Sequence, residues 1–187
     1  MNRIMKRLTG LLMLGLVANW GVANAQQFLA RAGEVSFFST TPVEDITANS
    51  KQMSCILDAS TGAFAFQIPI RSFHFEKALM EEHFNENYLE SAKFPNATFK
   101  GNFTEWNAAA LKDGKPHTVQ ARGELTIHGV TVQRTISGTV TWKDGKWVMQ
   151  AQFNVAPAAH EIAIPDVVKE KIAKEIRVNV NATLNAK

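Results

Sequence analysis

The histidines are the first residues to examine for chemistry, and they do not assemble into a site. His74 lies between Phe73 and Phe75, His83 between Glu82 and Phe84, and His117, His128 and His160 fall near turns or segment ends. A helical zinc motif needs two ligands one turn apart, at i and i+4, and no pair of histidines has that spacing. Glu82 and Glu86 near His83 read as the solvated face of a helix. Serine, histidine and aspartate are all present, but no strand–turn–helix nucleophile elbow brings them into a triad. Cys55 sits in Met53-Ser54-Cys55-Ile56-Leu57, in phase with Met53 and Leu57, which describes a buried and inert thiol. The expectation is no catalytic residue, no metal and no cofactor.

The chemistry that remains is apolar binding, and it is written in alternation. Val119, Ala121, Gly123, Leu125 and Ile127 share one phase, with Gln120, Arg122, Glu124 and Thr126 in the other. After His128-Gly129 the pattern restarts with Val130, Val132, Ile136, Val140 and Trp142. Successive strand side chains point to opposite faces, so this is an antiparallel hairpin with one buried face. That face carries small residues where a packed core wants bulk. Gly101, Ala121, Gly123, Gly138 and Ala151 lie mid-strand, flanked by Phe99, Phe103, Leu125, Ile136, Met149 and Phe153. Two readings fit. Either the phase faces a lumen left open along a central band, or the glycines relieve strain where strands bend. Phe64, Phe66 and Ile68 extend the same lining on another strand. Arg134 is the one cation in this phase; it meets a polar head group there or snorkels to water from near the turn.

The elements that must position these residues are mostly strands. Period-two segments recur around Val35, 46–57, 64–70, 97–103, 119–127, 130–142, 147–155 and 176–184. The count is about eight, which suits a closed antiparallel barrel. Two segments break the pattern. Residues 76–91 place Met80, Phe84 and Tyr88 at helical spacing and predict an amphipathic helix ending before Phe94-Pro95. Residues 165–174 predict a shorter helix with Val168 and Ile172 on one side. In this arrangement Met80, His83 and Phe84 border a barrel opening.

The N-terminus reads as an address. Arg3, Lys6 and Arg7 precede an apolar run over residues 8–22 and the small-residue site Ala23-Asn24-Ala25, the order of a secretory signal peptide. Asn19 interrupts the run and it is short for a membrane span. The expectation is a signal peptide over residues 1–25 and one domain over residues 26–187, periplasmic or secreted. The whole sequence has 20 Lys+Arg and 17 Asp+Glu, and removing the leader's three cations leaves 17 of each. A neutral domain gives no electrostatic reason to bind nucleic acid. Roughly 160 residues suit one domain with a sizeable core.

Two motifs then carry a resemblance. Residues 82–99, EHFNENYLESAKFPNATF, resemble the helix and following strand of the YceI-like family, and Gly123-Glu124-Leu125-Thr126-Ile127-His128-Gly129-Val130-Thr131 resembles its G-x-L-T-I-x-G-V-T hairpin. The resemblance implies an all-β fold, a single lipocalin-like antiparallel barrel, holding an isoprenoid or other lipid in its lumen. It aligns His83 with the family's helix histidine and implies no catalytic centre. The sequence departs from the family at Glu81-Glu82, where Arg-Asp is usual, and at Ala156-Pro157-Ala158-Ala159-His160-Glu161-Ile162, where an aspartate-arginine segment is common.

The expected function is an exported carrier or sequestering protein for a long apolar ligand: an isoprenoid, a fatty acid or an amide. Its partner is that small molecule, with no integral membrane segment after residue 25; a homodimer is compatible with this reading. Two alternatives stand beside it. One is a small outer-membrane barrel, which alternates equally well with its apolar face outward. The other is a lipid-modifying enzyme with His83 or His160 as base.

Overall fold

The two tightest turns are His128-Gly129 and Asp144-Gly145. In the computed structural model, which describes residues 26–187, these four residues take positive φ values of 53°, 75°, 51° and 77°. Positive φ at both central positions is the type I′ geometry that matches strand twist in two-residue hairpins. Each turn closes a ladder, Ile127 opposite Val130 and Lys143 opposite Lys146. The expected signal peptide, residues 1–25, lies outside the described residues.

The strands are β1 (Gln27–Thr40), β2 (Asp45–Asp58), β3 (Ala63–Pro69), β4 (His74–Phe75), β5 (Asn96–Thr104), β6 (His117–Ile127), β7 (Val130–Lys143), β8 (Lys146–Val155) and β9 (Ile176–Ala186). Eight of them run in the order β1-β9-β8-β7-β6-β5-β3-β2, and β1 also pairs with β2, so the sheet closes on itself. The two-residue β4 adds to β2 beside Ala48 and Asn49. Every ladder is antiparallel, which makes a closed eight-stranded barrel. Its outward phase is polar and charged: Lys100, Glu124 and Gln133 stand in one exposed row across β5, β6 and β7, and Asn102, Arg122 and Thr135 stand in the next. An outer-membrane barrel needs an apolar band there, so that alternative does not describe this fold.

One end of the barrel is packed solid. Phe28, Trp142 and Trp147 meet edge to face, Trp106 stacks on Phe103, and Phe64 packs against Phe103 at 4.9 Å between centroids. Trp147, Phe28, Leu57 and Leu184 in this plug are fully buried. The Trp106 indole N–H donates to the Ala59 carbonyl at 2.9 Å and anchors the β5–β6 connection over the end.

Of the two helix expectations, the first is met in shortened form and the second is corrected. The helix expected over residues 76–91 is α1 (Ala78–His83) continued by a π-helical turn over Phe84–Tyr88. The Asn85 side-chain amide donates to the Glu81 carbonyl at 2.8 Å, and Glu90 turns left-handed at φ 41°. A side chain competing for backbone groups and a left-handed residue both stop an α-helix. Residues 165–174 form only a 3₁₀ turn at Asp166–Val168. Val167 is 89% exposed, while Val168 and Ile172 turn to the cavity. The Ala173 N–H goes instead to the Ser39 hydroxyl on β1, at 2.9 Å.

Candidate functional site

The other end of the barrel holds a cavity of about 580 Å³. Its walls come from the inward phases of the strands, and its mouth lies among the β1–β2 turn, α1 with its π-turn, and the segment between β8 and β9. Phe66 and Ile68 on β3, Phe99 and Phe103 on β5, and Ala121 and Leu125 on β6 line it. Ile136 and Gly138 on β7 and Met149, Ala151 and Phe153 on β8 complete that side. Met80, His83 and Phe84 reach it from the mouth. Phe84 sits in an aromatic group with Phe37, Phe73 and Phe75, at centroid separations of 5.0–5.7 Å. These contacts fix the short helical segment against the opening.

Four residues expected on the cavity wall lie elsewhere. Phe64 belongs to the plug. Gly101 and Gly123 face one another across β5 and β6 and mark a close approach of the strands: a Cβ on Gly101 would lie 2.6 Å from the Gly123 Cα, and one on Gly123 would lie 2.9 Å from the Gly101 Cα. At these two positions glycine serves close strand approach and not an open lumen. Arg134 is half-buried and donates from Nη2 to the Asn154 carbonyl at 2.8 Å. Its pairing explains its place. The β7–β8 ladder ends at Gly138 opposite Ala151, while β8 continues beside β9 to Val155, so β7 and β8 part below that level. Arg134 spans the gap between them.

Other cavity residues carried a weaker signal. Val35 and Phe37 on β1 and Val178 and Val180 on β9 line the wall, and all four stand in the alternating phases of their strands. Ile162 and Ile164 come from irregular backbone, where no period exists to show which way they point, and Val168 and Ile172, which share a side at helical spacing, reach the cavity from the 3₁₀ turn and the loop after it. The charged side chains on the wall, Glu44, Lys77 and Lys171, also come from turns and loops. Lys77 Nζ meets Glu44 Oε1 at 3.2 Å.

The titratable groups away from the cavity are held in structural roles. The segment after β8 folds back so that His160 is fully buried, with Nδ1 3.1 Å from the Val130 carbonyl. Burial holds its imidazole pKa below the usual histidine value, and the Arg134 charge acts in the same direction. His128 bridges this turn to the segment after α1: Nε2 lies 2.7 Å from Glu90 Oε2 and Nδ1 lies 3.3 Å from the His160 carbonyl. Burial pushes the Cys55 thiol pKa far up, which suits a packing residue. Among the described residues no group of three or more His, Cys, Asp or Glu side chains is arranged to hold a metal ion.

Several solved structures share this architecture. A polyisoprenoid-binding domain from Saccharophagus degradans implicated in plant cell wall breakdown matches with a TM-score of 0.75 at 17% identity, covering 87% of this chain and 99% of that one. BcnA from Burkholderia cenocepacia matches with a TM-score of 0.67 at 16% identity, covering 81% of this chain and 95% of that one. A YceI protein from Campylobacter jejuni matches with a TM-score of 0.59 at 18% identity, covering 75% and 84%. No curated protein sequence matches the chain. The sequence model of the YceI-like domain matches residues 23–184, the whole barrel from β1 to most of β9. The chain belongs to the YceI-like domain family.

Proposed function

We propose that the protein is an exported carrier that sequesters a long apolar molecule, of isoprenoid, acyl or amide type, in the barrel cavity. One observation carries this reading: the cavity wall is mostly aliphatic and aromatic, and its charged groups are confined to the mouth. The volume falls within the range of about 300–1,000 Å³ usual for small-molecule sites. Burying a chain there is favourable by about 0.8 kcal/mol per CH₂, so a tail of moderate length supplies most of the affinity. The Saccharophagus degradans domain of the same fold is described as polyisoprenoid-binding, which agrees in ligand class. Export to the periplasm or beyond rests on the N-terminal leader pattern.

The test is mass spectrometry of small molecules that co-purify with the processed protein, followed by displacement of a fluorescent fatty acid by alcohols of increasing chain length. Affinity rises with length until the tail outgrows the barrel. Affinity independent of length overturns the carrier reading. Retention of residues 1–25 in the mature protein overturns the export part.

A further inference from the structure

The turn that follows β8 covers a break in the barrel wall. The β7–β8 ladder stops at Gly138 opposite Ala151, although Ile136 on one strand and Phe153 on the other both line the cavity beyond it. Next to this break stands the 3₁₀ turn Pro157–His160 with the two residues after it. The Ile162 N–H returns to the Pro157 carbonyl at 3.1 Å and the Glu161 N–H to the Ala158 carbonyl at 3.3 Å, so residues 157–162 form one compact unit. Pro157 and Ile162 line the cavity, while His160 is fully buried against Val130 at the start of β7.

Few polar contacts hold this unit in place. A carbonyl only accepts, so His160 Nδ1 carries the proton that meets the Val130 oxygen at 3.1 Å, and Nε2 is left as a buried lone pair without a partner. His128, on the β6–β7 turn, meets the His160 carbonyl through Nδ1 at 3.3 Å. Arg134 crosses the break to the Asn154 carbonyl. The groups around the imidazole offer it no counter-ion. Arg134 on β7 is a cation, β6 presents the Ile127 backbone, Glu90 from the segment after α1 is engaged by His128 at 2.7 Å, and Glu161 is exposed. A second proton on His160 therefore creates an N–H with no acceptor near a like charge. That N–H finds a partner only when the ring leaves the wall for water.

We infer that residues 157–162 are a gate over the break between β7 and β8, latched by His160, and that acid opens it and speeds ligand exchange. The inference rests on the carrier reading above and adds to it the route and trigger of exchange. Burial, which holds the His160 imidazole below its ordinary value, agrees with a latch that is neutral when shut.

The experiment is stopped-flow mixing of the processed protein with a pyrene-labelled long-chain alcohol, which has no titratable group, at about pH 7.5 and about pH 5. Release is read by mixing the loaded protein with excess unlabelled hexadecanol. In the parent, association and dissociation are both expected to be faster at the lower pH, on the order of fivefold, with their ratio changing much less. A gate speeds both directions, whereas a weakened site speeds dissociation alone. Tryptophan emission from the plug at the other end should be the same at both pH values. In His160→Asn the rates should not rise on acidification, whatever their level at the higher pH. Arg134→Met removes the other contact across the break and should speed exchange at the higher pH. Rates independent of pH in the parent, an acid response retained in His160→Asn, or Arg134→Met rates equal to those of the parent would each overturn the gate while leaving the carrier intact. Plug emission that changes along with the rates marks general loosening and overturns the gate as well. No capture of the probe at either pH overturns the carrier reading, and the gate with it.

Discussion

Gly101 and Gly123 stand opposite one another on β5 and β6, so close that a Cβ on either would press into the backbone of the other strand. On alternation alone the pair belongs to the same phase as Phe99 and Leu125, which do reach the cavity. Glycine at both positions is what lets the two strands approach this closely. Gly123→Leu is therefore expected to destabilise the barrel by about 1–3 kcal/mol, the usual cost of forcing bulk into a packed site. The ligand capacity of the molecules that remain folded should be unchanged. Chemical denaturation beside a fluorescent fatty acid titration separates the two effects. A stable variant with reduced capture would place Gly123 at the ligand after all.

Ala151 is the contrasting case. It shares the inward phase and lines the cavity, where added volume meets the ligand's space before it meets backbone. Ala151→Phe should weaken capture of a long-chain probe by tenfold or more, about 1.4 kcal/mol, with a melting temperature close to that of the parent. Unfolding of this variant would show that the wall at β8 is close-packed.

The difference between these two small residues explains what was legible. Alternation sorted the wall into an inward and an outward phase, because period two is a property of every strand. It placed the turn at His128-Gly129, and it left between residues 130–142 and 147–155 the gap in which Asp144-Gly145 takes the positive φ of the second turn. Alternation cannot tell a glycine that opens a lumen from one that admits a neighbouring strand, and Gly101 and Gly123 fell to the second use. Nor could it show that β7 and β8 part below Gly138, which takes Arg134 out of the cavity. Residues 165–174 misled for a related reason. Val168 and Ile172 have helical spacing and do point the same way, toward the cavity, but irregular backbone brings them there. The mouth lysines were illegible because loop residues have no period to read.

The two ends of the barrel should respond differently to truncation. Trp147 is fully buried and packs against Phe28, Trp106 and Trp142. Trp147→Ala is expected to cost about 3–5 kcal/mol, as for other large aromatic truncations in cores. Phe66 is half-buried and lines the cavity, so Phe66→Ala enlarges existing space and should cost less than the plug substitution. Urea midpoints of the two variants check the order; equal losses would mean that the cavity end is packed as tightly as the plug.

Cys55 supplies a check on the intervening wall. Its thiol is buried and its pKa is raised by burial, so the nucleophilic thiolate is scarce in the native state. A thiol reagent should label the native protein only at the rate of unfolding, and should label it promptly in denaturant. Fast labelling without denaturant would mean that the β1–β2 wall opens locally.

Stability should also depend on pH through His160. Its imidazole is buried, Nδ1 faces the Val130 carbonyl, and Nε2 has no hydrogen-bond partner among the described residues. Protonation would place a second N–H in that buried site with Arg134 nearby, so burial first and the Arg134 charge after it hold the pKa below the ordinary value of 6.5, against the opposing effects of the Val130 and Ile127 backbone. The unfolded chain then takes up the proton before the folded one does. Above the unfolded value the group is neutral in both states and contributes no pH dependence. As the pH falls below that value stability is lost, and the loss ends once the folded pKa is passed. His160→Asn keeps a donor for Val130 and removes the titration. Urea denaturation of parent and variant at about pH 7.5 and about pH 5 should show the parent losing more stability on acidification than the variant does. Glu90 and His128 are common to both proteins, so their contact cancels in the comparison. Equal losses in the two proteins would show that His160 is hydrated in solution and that the turn after β8 does not seal the gap between β7 and β8.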